Sequence, residues 1–362
     1  MKTLSFKTAN SSTVRAALGR NMENIPALFP GIFSAADRIC VVTGSDAPPS
    51  LRARALALFP EGPRHHDYFW LPPSEKAKSL AQAGELCEFL FERGFSRSSL
   101  VIAAGGGAVT DLAGFAASIY MRGVSWISVP TTFLGQIDAG LGGKTAVNLA
   151  GAKNIAGTFH QPALAVCDTA FLDSLPHAEL RSGAGELVKY AMIGPGELFR
   201  TVKKDLDKVL AGDRSALTAC VSACAAYKIK LVSRDERDER GLREALNFGH
   251  TAGHAFEAMS GGALPHGEAV ARGIRFALIA SRETGILKRA EFQRLDALVD
   301  ALRLKPAKVR RDFRQFLSLV ARDKKARGAG NRFVLIAGPG RLCPAENLDV
   351  PLLKKAFEGA LR

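Results

Sequence analysis

Three of the seven histidines, His250, His254 and His266, fall within seventeen positions of one another. In Asn247-Phe248-Gly249-His250-Thr251-Ala252-Gly253-His254, the two imidazoles are four residues apart. On a helix that spacing puts both on one face, where neutral ring nitrogens can hold Zn²⁺. His266 follows in Pro265-His266-Gly267-Glu268, at the start of another helical pattern. Clustering this dense points to a ligand set rather than to three unrelated core histidines. A catalytic zinc site also accepts one carboxylate, and Glu186, Glu257 and Glu268 all lie on helical patterns, so spacing leaves that choice open.

A second feature is the run Gly105-Gly106-Gly107-Ala108-Val109-Thr110-Asp111. It follows an apolar strand pattern and precedes a helical one, which aims unpaired N–H groups and a positive dipole end at an anion. Thr110 stands where the third glycine of GxGxxG would fall, so the turn alone reads equally as a nucleotide site or a plain strand-to-helix turn. The loop Pro130-Thr131-Thr132-Phe133-Leu134 offers hydroxyls for phosphate or ribose, or a cap for the next helix. Between Gln136 and Ile155, Asp138, Lys144, Asn148, Lys153 and Asn154 collect in glycine-rich, loop-like sequence. Such cations and amides suit an anionic polyhydroxy ligand, with a solvated surface loop as the alternative. Glu186 and Lys189, three apart, put a carboxylate and an ammonium on one helix face, as a functional pair or a surface one.

The elements that must position these groups change character along the chain. ICVVTG (39–44), LAQAGELCEFLFERG (80–94), LVIAAGGG (100–107), a helix from about Val109 to Tyr120, and strands near Val124–Val129 and Ala163–Asp168 follow a βαβ pattern. That predicts a parallel sheet covered by helices, with ligands beyond the carboxyl ends of its strands. After Pro176 amphipathic segments take over: Ala216–Val232, Thr251–Met259, Glu268–Thr284 and Glu291–Leu302. The reading therefore divides the chain into 1–176 and 177–362, with Arg332–Ala337 as a late strand or hairpin arm.

With 47% hydrophobic and 23% charged residues, the 362-residue chain has the balance of a globular protein, not of a disordered or collagen-like one. No run approaches the roughly 20 apolar residues of a membrane span, and MKTLSFKTANSS lacks the apolar core of a signal peptide, so the expected compartment is the cytoplasm. Six scattered cysteines form no CxxC pair and read as reduced thiols, with Cys220 and Cys224 as core residues of one helix face. The net charge of +14 admits acidic small molecules, nucleic acid or an anionic membrane as partners. The basic residues are spread along the chain, and the densest patch, Lys305–Arg327, lacks the regular aromatics of a single-strand platform, which argues against nucleic acid.

Taken together and in order, GGGAVTDLAGFAASIYMRG, VPTTFLGQIDAGLGGKTAVN, KNIAGTFHQP, GELVKY, GLREALNFGHTAGHAFE and HGEAVARG resemble the 3-dehydroquinate synthases, a family of the sugar phosphate cyclases. Weaker matches at Glu75–Lys78 and Asp323–Lys325 extend the resemblance over most of the chain. It implies an α/β N-terminal Rossmann-like dinucleotide-binding domain and a mainly α-helical C-terminal metal-binding domain. It also implies NAD and one divalent ion, Zn²⁺ or Co²⁺, held by Glu186, His250 and His266. His254 then lies near the substrate's phosphate instead of on the metal. The implied cofactor contacts are Glu75 and Lys78 near the adenosine, Gly106, Gly107 and Asp111 at the pyrophosphate, and Thr131, Thr132, Asp138, Lys144 and Lys153. The implied substrate residues are Lys144, Asn154, Lys189, Lys228 (or Lys230), Arg243, Asn247 and Lys324 (or Lys325), supported by Glu239. Arg122 would come from the second subunit of a homodimer. Where the family often has an Asp after the early strand, this chain reads Val42-Thr43-Gly44-Ser45-Asp46. The implied reaction converts 3-deoxy-D-arabino-heptulosonate 7-phosphate to 3-dehydroquinate and phosphate, a step of the shikimate pathway. It runs by transient NAD-dependent oxidation, phosphate elimination, reduction and intramolecular aldol closure. Rival readings are a sister cyclase acting on sedoheptulose 7-phosphate or glucose 6-phosphate, and a metal-dependent polyol dehydrogenase. Arg243 and Asn247 beside the lysines favour the acid-bearing substrate.

Overall fold

The computed structural model describes residues 1–8, 13–60, 66–73, 75–150, 152–306, 309–324 and 332–362. The chain forms two compact units, one of Met1–Pro176 with Val221–Glu239, the other of His177–Cys220 with Arg240–Arg362. Val221–Glu239, grouped by the sequence reading with the second domain, packs with the first. The reason is that the helix Arg214–Arg234 is one uninterrupted element, so its amphipathic pattern carries no mark of a boundary. By length and hydropathy this helix passes the test for a membrane span, yet half of it is buried within the protein.

The first unit is built on a seven-stranded sheet in the order β1-β2-β9-β6-β5-β3-β4. Its strands are β1 Lys2–Lys7, β2 Thr13–Gly19, β3 Ile39–Gly44, β4 His66–Leu71, β5 Leu100–Gly105, β6 Ser125–Pro130 and β9 Leu164–Asp168. Only the β1–β2 pair is antiparallel. Successive side chains of a strand point to opposite faces, and here both faces are covered. Cys40 and Val42 of β3 and Val101 and Ala103 of β5 pack with Leu86, Leu90, Leu112 and Phe115. Ile39 and Val41, with Leu100, Ile102 and Ala104, pack on the other face with Phe33, Leu58 and Phe59. That double burial explains why these strands read as continuous apolar runs. From β3 the chain moves outward to β4 and then returns to β5 on β3's other side, so the loops after β3 and β5 diverge and leave a crevice at the strands' carboxyl ends.

The glycine-rich stretch read as a loop is largely ordered. It contains a π-helical turn, Gly135–Ala139, and an antiparallel hairpin of β7 Lys144–Leu149 with β8 Ala152–Phe159. The second unit is mainly helical, with helices His177–Ile193, Gly196–Leu210, His250–Met259, His266–Glu283, Arg289–Ala301, Phe313–Lys324 and Val350–Ala360. Arg332–Gly338 is β10, paired with β11, Arg341–Glu346, as the hairpin arm the apolar run suggested. Its core is a phenylalanine cluster: Phe316 lies 5.0 Å from Phe357, 5.4 Å from Phe256 and 5.5 Å from Phe276, ring centre to ring centre. None of the six cysteines is in a disulfide, and Cys220 and Cys224 are fully buried.

Candidate functional site

In the second unit, the helices His177–Ile193, His250–Met259 and His266–Glu283 approach one another more closely than side chains would allow. A Cβ on Gly267 would stand 1.6 Å from the Ser182 carbonyl oxygen, and one on Gly185 would stand 2.0 Å from the Gly267 oxygen. A Cβ on Gly273 would meet the Gly249 oxygen at 1.9 Å. Backbone-on-backbone packing at these glycines brings together the residues beside them in the chain, Glu186, His266 and His250.

Glu186 Oε1 lies 3.1 Å from His250 Nε2 and 3.2 Å from His266 Nε2. The three donor atoms all lie within 4.8 Å of one another, the one such His/Cys/Asp/Glu group among the described residues. Donors about 2.0–2.1 Å from a tetrahedral Zn²⁺ sit roughly 3.3 Å apart, so this set fits a divalent ion with positions left for other ligands. The partners of the ring nitrogens facing away from it also fit. His266 Nδ1 is 3.1 Å from Glu257 Oε2 and His250 Nδ1 is 3.3 Å from the Phe248 carbonyl oxygen, the outer hydrogen bonds that fix imidazole orientation. Of the three carboxylates left open by spacing, Glu186 joins the group, Glu257 orients His266, and Glu268 does neither. His254 meets His250 edge to face, ring centres 5.4 Å apart, but is not one of the three donors, so the i,i+4 pairing read from spacing does not form the group.

Burial penalises charge on Glu186, yet the Lys189 ammonium 2.6 Å away and the two histidines hold its carboxyl well below the usual carboxylate range. Both partners of that ion pair are 1% exposed, so it is not the surface pair considered as its alternative. Burial likewise opposes charge on His266, but Glu186 and Glu257 outweigh it and push its pKa up to about 9. Arg243, buried, and Asn247, half-buried, lie on the turn Leu242–Asn247. Lys324 ends the helix Phe313–Lys324, while its side chain and Lys325 lie outside the described residues.

In the first unit, a cavity of about 350 Å³ opens at the carboxyl ends of β3 and β5. Gly105, Gly106, Val109, Thr131, Thr132, Thr43 and Asp46 line it. Gly106 precedes the helix Gly107–Ile119 with no side-chain cap, so the first N–H groups of that helix remain available to an anion. Thr132 does act as a cap, its Oγ1 accepting from the Gly135 N–H at 3.1 Å. Asp46 is a residue the sequence reading passed over. A Cβ on Gly44 would meet its Oδ1 at 2.6 Å, so the carboxylate folds back over the end of β3. An acidic group at such a strand end is where dinucleotide folds hold a ribose. The signal was present in Val42-Thr43-Gly44-Ser45-Asp46, just past the end of β3.

The polar residues gathered by the resemblance form paired clusters within this unit. Lys78, 4% exposed, donates to Asp111 at 2.5 Å and to the Asn154 side-chain oxygen. Burial raises the Asp111 pKa from 3.8 to about 6, with Lys78 only partly opposing it. Asn148 donates to Glu75 at 2.9 Å. Lys228, also buried, donates to the Asp138 carboxylate and, at 2.6 Å, to its backbone oxygen, whereas Lys230 is exposed. Lys144 pairs with Asp238 at 2.6 Å. Lys153 and Glu239 are exposed. Arg122 is exposed on a turn in which it and Met121 both adopt positive φ, 66° and 50°.

Comparison with known proteins bears on what these groups serve. Residues 68–182 match the family model of the 3-dehydroquinate synthase N-terminal domain, and residues 183–326 that of its C-terminal domain. A 3-dehydroquinate synthase of Sulfurisphaera tokodaii is 39% identical over 299 residues, 80% of this chain and 83% of the relative. One of Rhodospirillum rubrum is 43% identical over 286 residues, covering 76% of this chain and 74% of the relative. Among solved structures, a 2-deoxy-scyllo-inosose synthase complexed with carbaglucose-6-phosphate, NAD⁺ and Co²⁺ superposes with a TM-score of 0.87 at 25% identity, over 99% of this chain and all of the other. The 2-epi-5-epi-valiolone synthase of Streptomyces hygroscopicus, with NAD⁺ and Zn²⁺ bound, gives 0.81 at 25% identity, over 96% and 95% of the two chains. Two consecutive domain models and relatives near 40% identity over three quarters of their length converge on one conclusion: the chain belongs to the 3-dehydroquinate synthase family.

Proposed function

We propose that this enzyme converts 3-deoxy-D-arabino-heptulosonate 7-phosphate to 3-dehydroquinate and inorganic phosphate, as a carbon–oxygen lyase of the shikimate pathway. The observation that carries the reading is the Glu186–His250–His266 group, a three-donor set with the spacing a divalent ion needs. The ion, when bound there, supplies a Lewis acid for substrate hydroxyls, and NAD supplies a hydride acceptor that is regenerated in each turnover.

The chain's own residues bind and orient. Gly106, Gly107 and the uncapped helix N-terminus behind them suit a pyrophosphate, with Thr131, Thr132, Asp111, Asp138, Glu75, Lys78 and Lys153 as further cofactor contacts. Arg243, buried, carries a planar fork suited to a carboxylate or phosphate, and Asn247 adds an amide from the same turn. Lys189, fixed by Glu186, presents a desolvated ammonium beside the ligand set. Lys144, Lys228, Asn154 and Lys324 are assigned to the substrate, with Glu239 supporting them and His254 near the phosphate. A substrate carrying both a phosphate and a carboxylate matches this cationic complement, and holding both ends restricts the conformations open to the aldol step. Arg122, exposed on its strained turn, is assigned to the partner's phosphate site in a homodimer, and the compartment to the cytoplasm.

Turnover followed by NADH absorbance tests the reading. Phosphate released without net NADH supports it. NADH accumulating in step with substrate consumed assigns a polyol dehydrogenase instead.

A further inference from the structure

Lys78 is nearly inaccessible, and its ammonium has two acceptors: the Asp111 carboxylate at 2.5 Å and the Asn154 amide oxygen. We propose that Lys78 is a positioning residue that holds the Asn154 side chain with its oxygen inward and its two N–H donors outward, tying that amide to the cofactor-side carboxylate of Asp111. The proposal rests on the reading of Asn154 as a substrate residue. An ammonium carries three donors and no acceptor, so only the amide oxygen can face it. Asn154 is itself exposed, so the NH₂ group is turned outward from the buried ammonium. That orientation matches an anionic substrate, which needs donors, not acceptors.

The rest of the network supports a fixed geometry. Asn154 sits at φ 57°, a left-handed conformation that Asn tolerates and most residues do not. Its N–H donates to Asn148 Oδ1 at 3.0 Å, while Asn148 Nδ2 donates to Glu75 at 2.9 Å and the Asn148 N–H to the Lys78 carbonyl oxygen at 2.8 Å. Ser79 and Asn148 form a parallel β-bridge beside them. The segment from Glu75 to Ser79 thus grips the end of the β7–β8 hairpin by backbone and side chains. A buried lysine in such a frame is costly unless its acceptors are in place, so it specifies the orientation of both.

A mutant cycle on the NAD⁺- and Zn²⁺-loaded enzyme tests this, reading kcat/KM for the heptulosonate phosphate, with NAD⁺ affinity by calorimetry and Tm as a check on folding. Asn154→Gly is the partner variant because glycine accepts the positive φ. Lys78→Met and Asn154→Gly are each expected to lose about 10- to 100-fold in kcat/KM, the range for a hydrogen bond to a charged group. The double variant should fall no more than about threefold below the worse single one, because both remove one interaction. Lys78→Arg should recover most of the loss. Asn154→Asp keeps an acceptor for Lys78 but has no outward donor, so it should fold as well as wild type and match the Asn154→Gly loss. Losses that multiply in the double variant overturn the proposal, as does an Asn154→Asp enzyme with wild-type kcat/KM. The cycle is read at saturating NAD⁺, so a contact of Lys78 with the cofactor does not enter it. Full activity in Asn154→Gly removes the substrate role itself, a failure visible without any Lys78 variant.

Discussion

Gly267→Ala is the most demanding test of how the ligand set is assembled. The added Cβ would stand 1.6 Å from the Ser182 carbonyl oxygen and 2.5 Å from its carbon, where ordinary contact needs more than about 3 Å. Both sides of the contact are backbone, so no rotamer change relieves it, and the helices His177–Ile193 and His266–Glu283 must part by roughly 1.5 Å. Overpacking of this kind costs about 1–3 kcal/mol, and a backbone clash belongs at the upper end. For a unit of this size about 3 kcal/mol corresponds to a fall in Tm of roughly 6–12 °C. The same displacement separates Glu186 from His266, whereas ligand distances tolerate only about 0.2 Å. Metal affinity should fall by more than the roughly 10–100-fold typical of losing an outer hydrogen-bond partner. Chelator competition for Co²⁺ and thermal melting of the purified variant read both effects. Gly84→Ala is the control, since its Cβ meets nothing within 4 Å in the helix Leu80–Glu92. It should stabilise by about 0.5–1 kcal/mol. Wild-type melting and full metal occupancy in Gly267→Ala would refute the argument that close glycine packing sets the ligand distances.

Three further outcomes are expected. His254→Ala should keep stoichiometric metal, measured on the purified protein, while losing activity; loss of the metal would restore His250 and His254 as a ligand pair. Asp46→Asn should weaken NAD⁺ binding by about tenfold or more by calorimetry, the scale of a hydrogen bond to a charged group, and unchanged affinity removes Asp46 from the cofactor site. Asp111 has its folded-state pKa raised from 3.8 to about 6, so its stabilising contribution is present below pH 4 and is lost as pH rises through 6. The Tm difference between wild type and Asp111→Asn, without ligands, should therefore move in the variant's favour between pH 4.5 and 7, and movement the other way contradicts the raised pKa.

Much of this architecture was legible in the residues, and the gaps have physical causes. β3 and β5 were readable because both their faces are buried, leaving apolar runs bounded by glycine. The β7–β8 hairpin was not, because β8 is mostly exposed and its sequence lacks apolar alternation. The helices around the metal group were legible from periodicity, and His266 was placed at the start of another helix, but spacing paired His254 with His250 and could not show that His266 takes its place beside Glu186. What brings His266 in is the contact of Gly267 with Ser182, a tertiary close approach; glycine in a helix marks a vacancy without naming what fills it. The carboxylate was undecidable for the same reason, since both Glu186 and Glu257 reach His266 and only the tertiary packing puts Glu186 within reach of His250 as well.

Phosphate release from 3-deoxy-D-arabino-heptulosonate 7-phosphate, run beside sedoheptulose 7-phosphate and with and without a chelator, bears most directly on the proposed activity. Rapid release from the heptulosonate alone, abolished by chelator and restored by Zn²⁺ or Co²⁺, is the expected result. Release from sedoheptulose 7-phosphate alone, or release indifferent to chelator, would contradict it.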